Sequence, residues 1–138
     1  MRDENCIFCK IANGEIPSRT LHEDDDFRVI LDLAPATKGH ALILPKAHAD
    51  NLYELPDETA AKAFVLAKKL AGKMTDKLGC DGFNIVQNNG TVAGQTVFHF
   101  HLHLIPRYED DAQQIAWNPT EPSAEELDAV KELLKDES

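Results

Sequence analysis

The sequence predicts an α+β fold: a mostly antiparallel, five-stranded sheet packed by one long helix, with a second helix near the C-terminus. Three observations predict it. Short apolar runs with period-two alternation are separated by turn residues. A single long segment has apolar residues at helical spacing. The order of these segments is hairpin, strand, helix, hairpin, helix, which favours antiparallel pairing over a wound parallel sheet.

The elements are justified in chain order. "CIFCKIANGEIPS" reads as a short helix or turn closed by Asn13-Gly14 and Pro17. "RTLHEDDDFRVILDL" reads as two short strands around an acidic turn at Asp24–Asp26, with Phe27, Val29 and Leu31 alternating with Arg28, Ile30 and Asp32. A third strand, Ala41–Leu44, starts after Gly39 and stops at Pro45. "LPDETAAKAFVLAKKLAGKMTDKLG" is the long helix, capped at or beside Asp57. Its core face is expected to hold Phe64, Leu66, Ala67, Leu70, Ala71, Met74 and Leu78. "DGFNIVQNNG" is a strand ending in a turn, and "GQTVFHFHLHLIPRY" is the last strand. "SAEELDAVKELLKDE" is an amphipathic helix with Ser123 and Glu126 as a capping box.

The chain of 138 residues fits one domain, 1–138, with a C-terminal extension from about residue 109. No apolar run approaches the ~20 residues needed to span a bilayer, and the N-terminus lacks the apolar core of a signal peptide. A cytoplasmic protein without a membrane partner is expected. The formal net charge of −10 argues against a nucleic acid, whose binding rests on many Lys/Arg–phosphate contacts. A small phosphate ligand remains compatible with it. Of three cysteines, Cys80 reads as a small, partly buried residue, whereas Cys6-x-x-Cys9 is a weak zinc half-site, a redox pair or two packed thiols.

His99, His101 and His103 occupy alternate positions with Phe98, Phe100, Leu102 and Leu104 around them. On a strand, residues i, i+2 and i+4 share a face. The apolar set is expected to face the core and the imidazoles to form a site. Such a row serves a metal or catalysis. Imidazole is a nucleophile toward phosphorus, and neighbouring imidazoles can donate hydrogen bonds to phosphate. The segment just upstream, with Gly90, Gly94, Gln95 and Thr96, favours catalysis, because its turn can offer backbone N–H groups to an anion.

"GQTVFHFHLHLIPR" resembles the signature of the histidine triad (HIT) family. "CIFCKIANGEIPS" and "ILDLAPATKGHALILPKAH" extend the likeness to the bacterial Hint branch over nearly the whole chain. The resemblance implies a homodimer whose half-sheets join into ten strands. It implies a hydrolase that cleaves at the α-phosphorus of nucleoside phosphoramidates or related nucleotide conjugates, through a nucleotidyl-histidine intermediate. By that match His101 is the nucleophile, His103 bonds the α-phosphate, His40 supports the triad's protonation state, and Thr96 contacts the leaving group. Asp32 would hold the ribose hydroxyls. Ile7, Phe8, Ile11, Ile30 and Leu33 would line the base pocket for a purine nucleotide. Asn88, Gly94 and Gln95 would lie on the ribose and phosphate side. Similar bacterial members bind a structural zinc, which here implies Cys6, Cys9, His48 and His99 as ligands. A dinucleoside polyphosphate hydrolase of the Fhit-like branch and a non-catalytic nucleotide-binding scaffold are the alternatives.

Overall fold

A computed structural model describes residues 3–135. The chain runs α1 (Ile7–Ala12), β1 (Thr20–Glu23), β2 (Phe27–Leu31), β3 (Ala41–Pro45), α2 (Asp57–Leu78), β4 (Gly82–Val86), a 3-10 turn (Thr91–Ala93), β5 (Leu102–Arg107) and α3 (Ala124–Leu134). The strands form one antiparallel sheet in the order β1-β2-β3-β5-β4. The α+β class and the five strands thus stand as expected.

The β1–β2 turn is built by Asp24, whose Oδ1 accepts from the Asp26 and Phe27 N–H groups at 2.8 Å each. This is the local bonding that makes Asp a turn former. β3 is buried at every position and lies at the centre of the sheet. α2 covers one face, joining Leu66, Ala67, Leu70 and Met74 to Val29, Ile43, Phe100, Leu102 and Leu104 in the main core. Ile30, Leu42 and Leu44 point to the other face, where Phe8 and Ile11 of α1 pack against them.

Four local expectations are corrected. Phe64 is exposed, and Ala63 takes its place on the buried stripe, because 63, 66, 67, 70 and 74 keep the helical repeat that 64 leaves. Pro56, without a side-chain bond, holds the N-cap position of α2, while Asp57 and Glu58 lie in its first turn. Phe98 is half exposed rather than core. The last strand is shorter than its sequence pattern. Its ladder reaches only Ile43↔Leu102 on one side and Val86↔His103 on the other: β4 ends at Val86, whereas β3 runs on to Pro45 against β2 and the chain before Leu102 lies off its ladder. Residues before Leu102 are instead held by single bonds, such as Phe100 N–H to Ala49 O at 2.7 Å.

The chain after β5 is pinned beside the β2–β3 loop. Arg107 forks onto Asp111 at 2.8 and 2.9 Å, Tyr108 Oη donates to Lys38 O, and Gln113 Nε2 donates to Ala36 O. α3 begins at Ser123, whose Oγ accepts the Glu126 N–H at 3.1 Å, as the capping box requires. Residues 136 and 137 of the expected helix lie outside the described residues.

Candidate active site

The site forms where the start of β5 crosses the ends of β2 and β3, on the sheet face that carries α1. A cleft of about 280 Å³ is lined by Phe8, Ile11, Ile30, Leu31, Asp32, Leu33, Leu42, Thr96, Val97, His101 and His103. Eight of these were singled out from the sequence. Leu31, Leu42 and Val97 were not. Leu42 lies directly across from His103 in the β3–β5 ladder, so the register, once known, places it there.

The hydrogen bonds assign the proton on each neutral ring. The Ala36 N–H donates to His40 Nδ1 at 2.9 Å, so that nitrogen holds a lone pair and Nε2 carries the hydrogen. His40 Nε2–H then donates to His103 Nδ1 at 2.9 Å, which leaves His103 with its hydrogen on Nε2. His101 Nδ1–H donates to the His99 carbonyl at 2.7 Å, so its Nε2 is the basic nitrogen. No partner for that nitrogen occurs among the described residues. The His101 and His103 rings lie 5.0 Å apart, and Phe8 stands edge-on to His101, also at 5.0 Å. The rings thus present one lone pair and one N–H to the same cleft.

Burial keeps these rings neutral. It pushes His101 below the ordinary imidazole value, against the bond to the His99 carbonyl and the Asp32 charge, which act the other way. His103 falls to about 4, first through burial and then through His101 and His40 beside it. Burial lowers His40 as well, with Asp32 opposing. Asp32 Oδ2 lies 3.6 Å from His40 Nε2, while its Oδ1 accepts the Ala34 N–H at 2.9 Å. Asp32 is therefore both a turn former and a wall of the cleft.

The loop before β5 is held by Gln95. Its Oε1 accepts the Gly90 N–H, and its Nε2 donates to Asp50 O and Val97 O. The side chain is buried and braces the loop, so the structure does not turn it toward a ligand. The N–H groups of Ala93, Gly94 and Gln95 bond to carbonyls of Gly90 and Thr91, so these three are engaged within the loop. Thr96 and Val97 N–H have no partner among the described residues. Gly94 takes φ +99°, and a Cβ there would meet Asn88 Nδ2 at 3.4 Å. Asn88 and Gly94 thus sit against each other beside the cleft, outside its lining, and Ile7 is half exposed outside it too.

A second cluster adjoins the first. His99 is fully buried, and its Nδ1 lies 3.3 Å from Cys6 Sγ and 3.4 Å from Cys9 Sγ. His48 Nδ1 lies 3.4 Å from Cys9 Sγ. In a zinc tetrahedron with Zn–S of about 2.3 Å and Zn–N of about 2.0 Å, sulfur and nitrogen are about 3.5 Å apart. The four donors fit that spacing and lie within 4.8 Å of one another. The far nitrogens are engaged as well. His99 Nε2–H donates to Pro45 O at 2.8 Å, and His48 Nε2–H to Asp50 Oδ1 at 2.6 Å. Both rings therefore aim Nδ1 lone pairs at the sulfurs, the outer-sphere arrangement typical of zinc histidines. The Cys9 N–H donates to Cys6 Sγ, and the Asp3 N–H to Cys9 Sγ. Burial raises the Cys9 thiol, the cost that a bound cation would offset. Of the two groups that orient the rings, Asp50 carried no sequence signal, and Pro45 only that of a strand stop, although it is the last residue of β3.

Comparison with known proteins follows this geometry. A model of the HIT domain matches residues 13–110. The adenosine 5'-monophosphoramidase hnt1 of Schizosaccharomyces pombe is 42% identical over 131 residues, spanning 94% of this chain and 96% of the relative. The crystal structure of SMU.412c from Streptococcus mutans superposes with a TM-score of 0.91 at 41% identity, covering 96% of this chain and 84% of that one. A Zn-bound histidine triad family protein from Mycobacterium smegmatis superposes with a TM-score of 0.76 at 39% identity, with 84% of each chain covered.

Proposed function

The chain belongs to the HIT domain family, and from that premise we propose that it is a nucleotide hydrolase acting at the α-phosphorus of nucleoside phosphoramidates or related nucleotide conjugates. The observation that carries the reading is the pair of opposed tautomers. His101 offers a lone pair on Nε2, and His103 offers an N–H beside it, in one cleft.

In this mechanism His101 Nε2 attacks phosphorus and forms a nucleotidyl-histidine. The leaving amine takes up a proton from solvent water as the P–N bond breaks, and the water that attacks in the second step gives one back to solvent. His103 Nε2–H donates to a non-bridging oxygen, where negative charge builds up in the transition state. His40 keeps that proton in place from behind, and the unpaired Thr96 N–H is a second donor in reach of the phosphate. Water then attacks the phosphorus and releases His101. Asp32 Oδ2 accepts from the ribose. Phe8, Ile11, Ile30 and Leu33 sandwich a purine. The phosphoramidase activity named for the yeast relative supports this leaving-group class.

Zinc at Cys6, Cys9, His48 and His99 is proposed as structural, because all four donors are enclosed by protein ligands and none faces the cleft. The homodimer is proposed to join edge strands β4 of two chains, since β4 ends the sheet and leaves Ile85 exposed. The single domain, 1–138, is part of the same reading.

The test is single-turnover hydrolysis of an adenosine phosphoramidate by wild type and by His101→Asn. Wild type should give an acid-labile adenylyl-protein adduct. The variant should lose at least about 1000-fold in rate, the scale of removing a covalent nucleophile, while still binding AMP. Near-normal turnover by the variant would move the nucleophile elsewhere.

A further inference from the structure

Two uncovered surfaces of this chain match each other. The first is a groove of about 390 Å³ between the C-terminal half of α2 and the β1–β2 hairpin. Its walls are Leu21, Leu31, Leu70 and Met74, and its rim is Lys38, Lys73 and Lys77. None of the three lysines is in an ion pair among the described residues. The groove lies on the α2 face of the sheet, away from the histidines.

The second surface is α3. Leu127, Val130 and Leu134 recur at three- and four-residue spacing and form one stripe. They are 58%, 50% and 77% exposed, and α3 buries no residue at all. An 11-residue helix is marginal in water without a packed face. Residues 121–135 carry five acids and two bases, opposite in sign to the groove rim. Between Gln113, pinned to the β2–β3 loop, and the Ser123 cap, the chain makes no hydrogen bond among the described residues. These nine residues can span about 30 Å. The arm holds α3 off its own body while the groove of the same body stays open.

We propose that α3 of one copy docks into the α2/hairpin groove of a second copy, apolar stripe inward and acids against the lysine rim. A reciprocal exchange of two arms has twofold symmetry and covers both grooves and both helices; the groove lies by the β1–β2 edge, so the exchange uses a face that the proposed β4 pairing leaves free. This pairing is independent of the hydrolase reading.

The experiment uses full-length chains with Cys80→Ser throughout. Lys77→Cys is placed in one chain and Lys131→Cys, at the flank of the stripe, in a second chain of different tagged length. Under mild oxidation the mixed-length disulfide dimer should form at least tenfold faster than with Glu125→Cys, which lies on the opposite side of α3. Adding Val130→Glu to the Lys131→Cys chain should bring the rate down to that control, and raising the salt should slow it. A rate equal to the Glu125→Cys control overturns the proposal. So does a disulfide that closes within one chain bearing both substitutions, because the helix would then dock at home.

Discussion

At the scale of the residue, the histidines were legible because chemistry-bearing side chains repeat at strand spacing, and their identity survives the loss of regular strand. What the sequence could not disclose is which nitrogen of each ring carries hydrogen. That depends on partners such as the Ala36 N–H and the His99 carbonyl, which are backbone groups without a residue signature. Gln95 was legible as polar but not as buried, since only the folded loop shows it bonded on three sides. Asp32, which lines the cleft, has one oxygen engaged by Ala34 and the other 3.6 Å from His40 Nε2. The proposed ribose contact would therefore rest on Oδ2. A charge-assisted bond is worth roughly 1.5–3 kcal/mol before water competes for it. AMP should thus bind about tenfold more tightly than dAMP (~1.4 kcal/mol). Asp32→Ala should erase that gap, and Asp32→Asn should keep the turn and part of the preference. Calorimetric titration of both nucleotides into the three proteins measures it. Equal binding by wild type would leave Asp32 with only its turn.

At the scale of the element, α1 is six residues long, too short to persist alone. It is held by Phe8 and Ile11 on the sheet and by Cys6 and Cys9 at its start. The sequence marked the helix through Asn13-Gly14 but not what fastens it, because the partners His48 and His99 lie 39 and 90 or more residues away. Purified protein is expected to carry about one zinc per chain. Cys6→Ser with Cys9→Ser should lose it and loosen α1, seen as faster amide exchange over residues 7–12. Hydrolysis should fall far less than in His101→Asn. Metal analysis that finds zinc retained in the double variant would exclude these ligands. Shorter-range features of α2 are legible to within a residue, and Phe64 marks the limit: a helical stripe with alanines in it can be drawn through either neighbour.

At the scale of the whole molecule, the antiparallel sheet of five strands follows from hairpins and apolar alternation, whereas the β3–β5 pairing across α2 and the early end of β5 do not. That end depends on where β4 stops and where the incoming chain joins β3, which itself runs on to Pro45 against β2, a property of several strands together. Buried neutral imidazoles also act on the molecule as a whole. His40 and His103 titrate below 6.5 in the fold, His103 at about 4, mainly through burial. The unfolded chain takes up these protons as pH drops through about 6.5. It then binds more protons than the fold, so stability is full above pH 7 and declines between about 6.5 and 4. The urea midpoint should follow that course. His103→Gln should lower the acid slope by up to one proton, about 1.4 kcal/mol per pH unit. An unchanged slope would mean that His103 titrates normally in the fold.

His99 has its ring among the sulfurs and its carbonyl on His101 Nδ1. One residue therefore belongs to two neighbourhoods, and that restricts how the chain can drift or be re-engineered. A lineage that discards Cys6 and Cys9 keeps the orientation of His101 only if the bond from His99 to Pro45 still holds that ring alone. A designer who transplants the histidine row to another scaffold must carry Pro45 with it. The segment His99–His103 is portable only together with the end of its neighbouring strand.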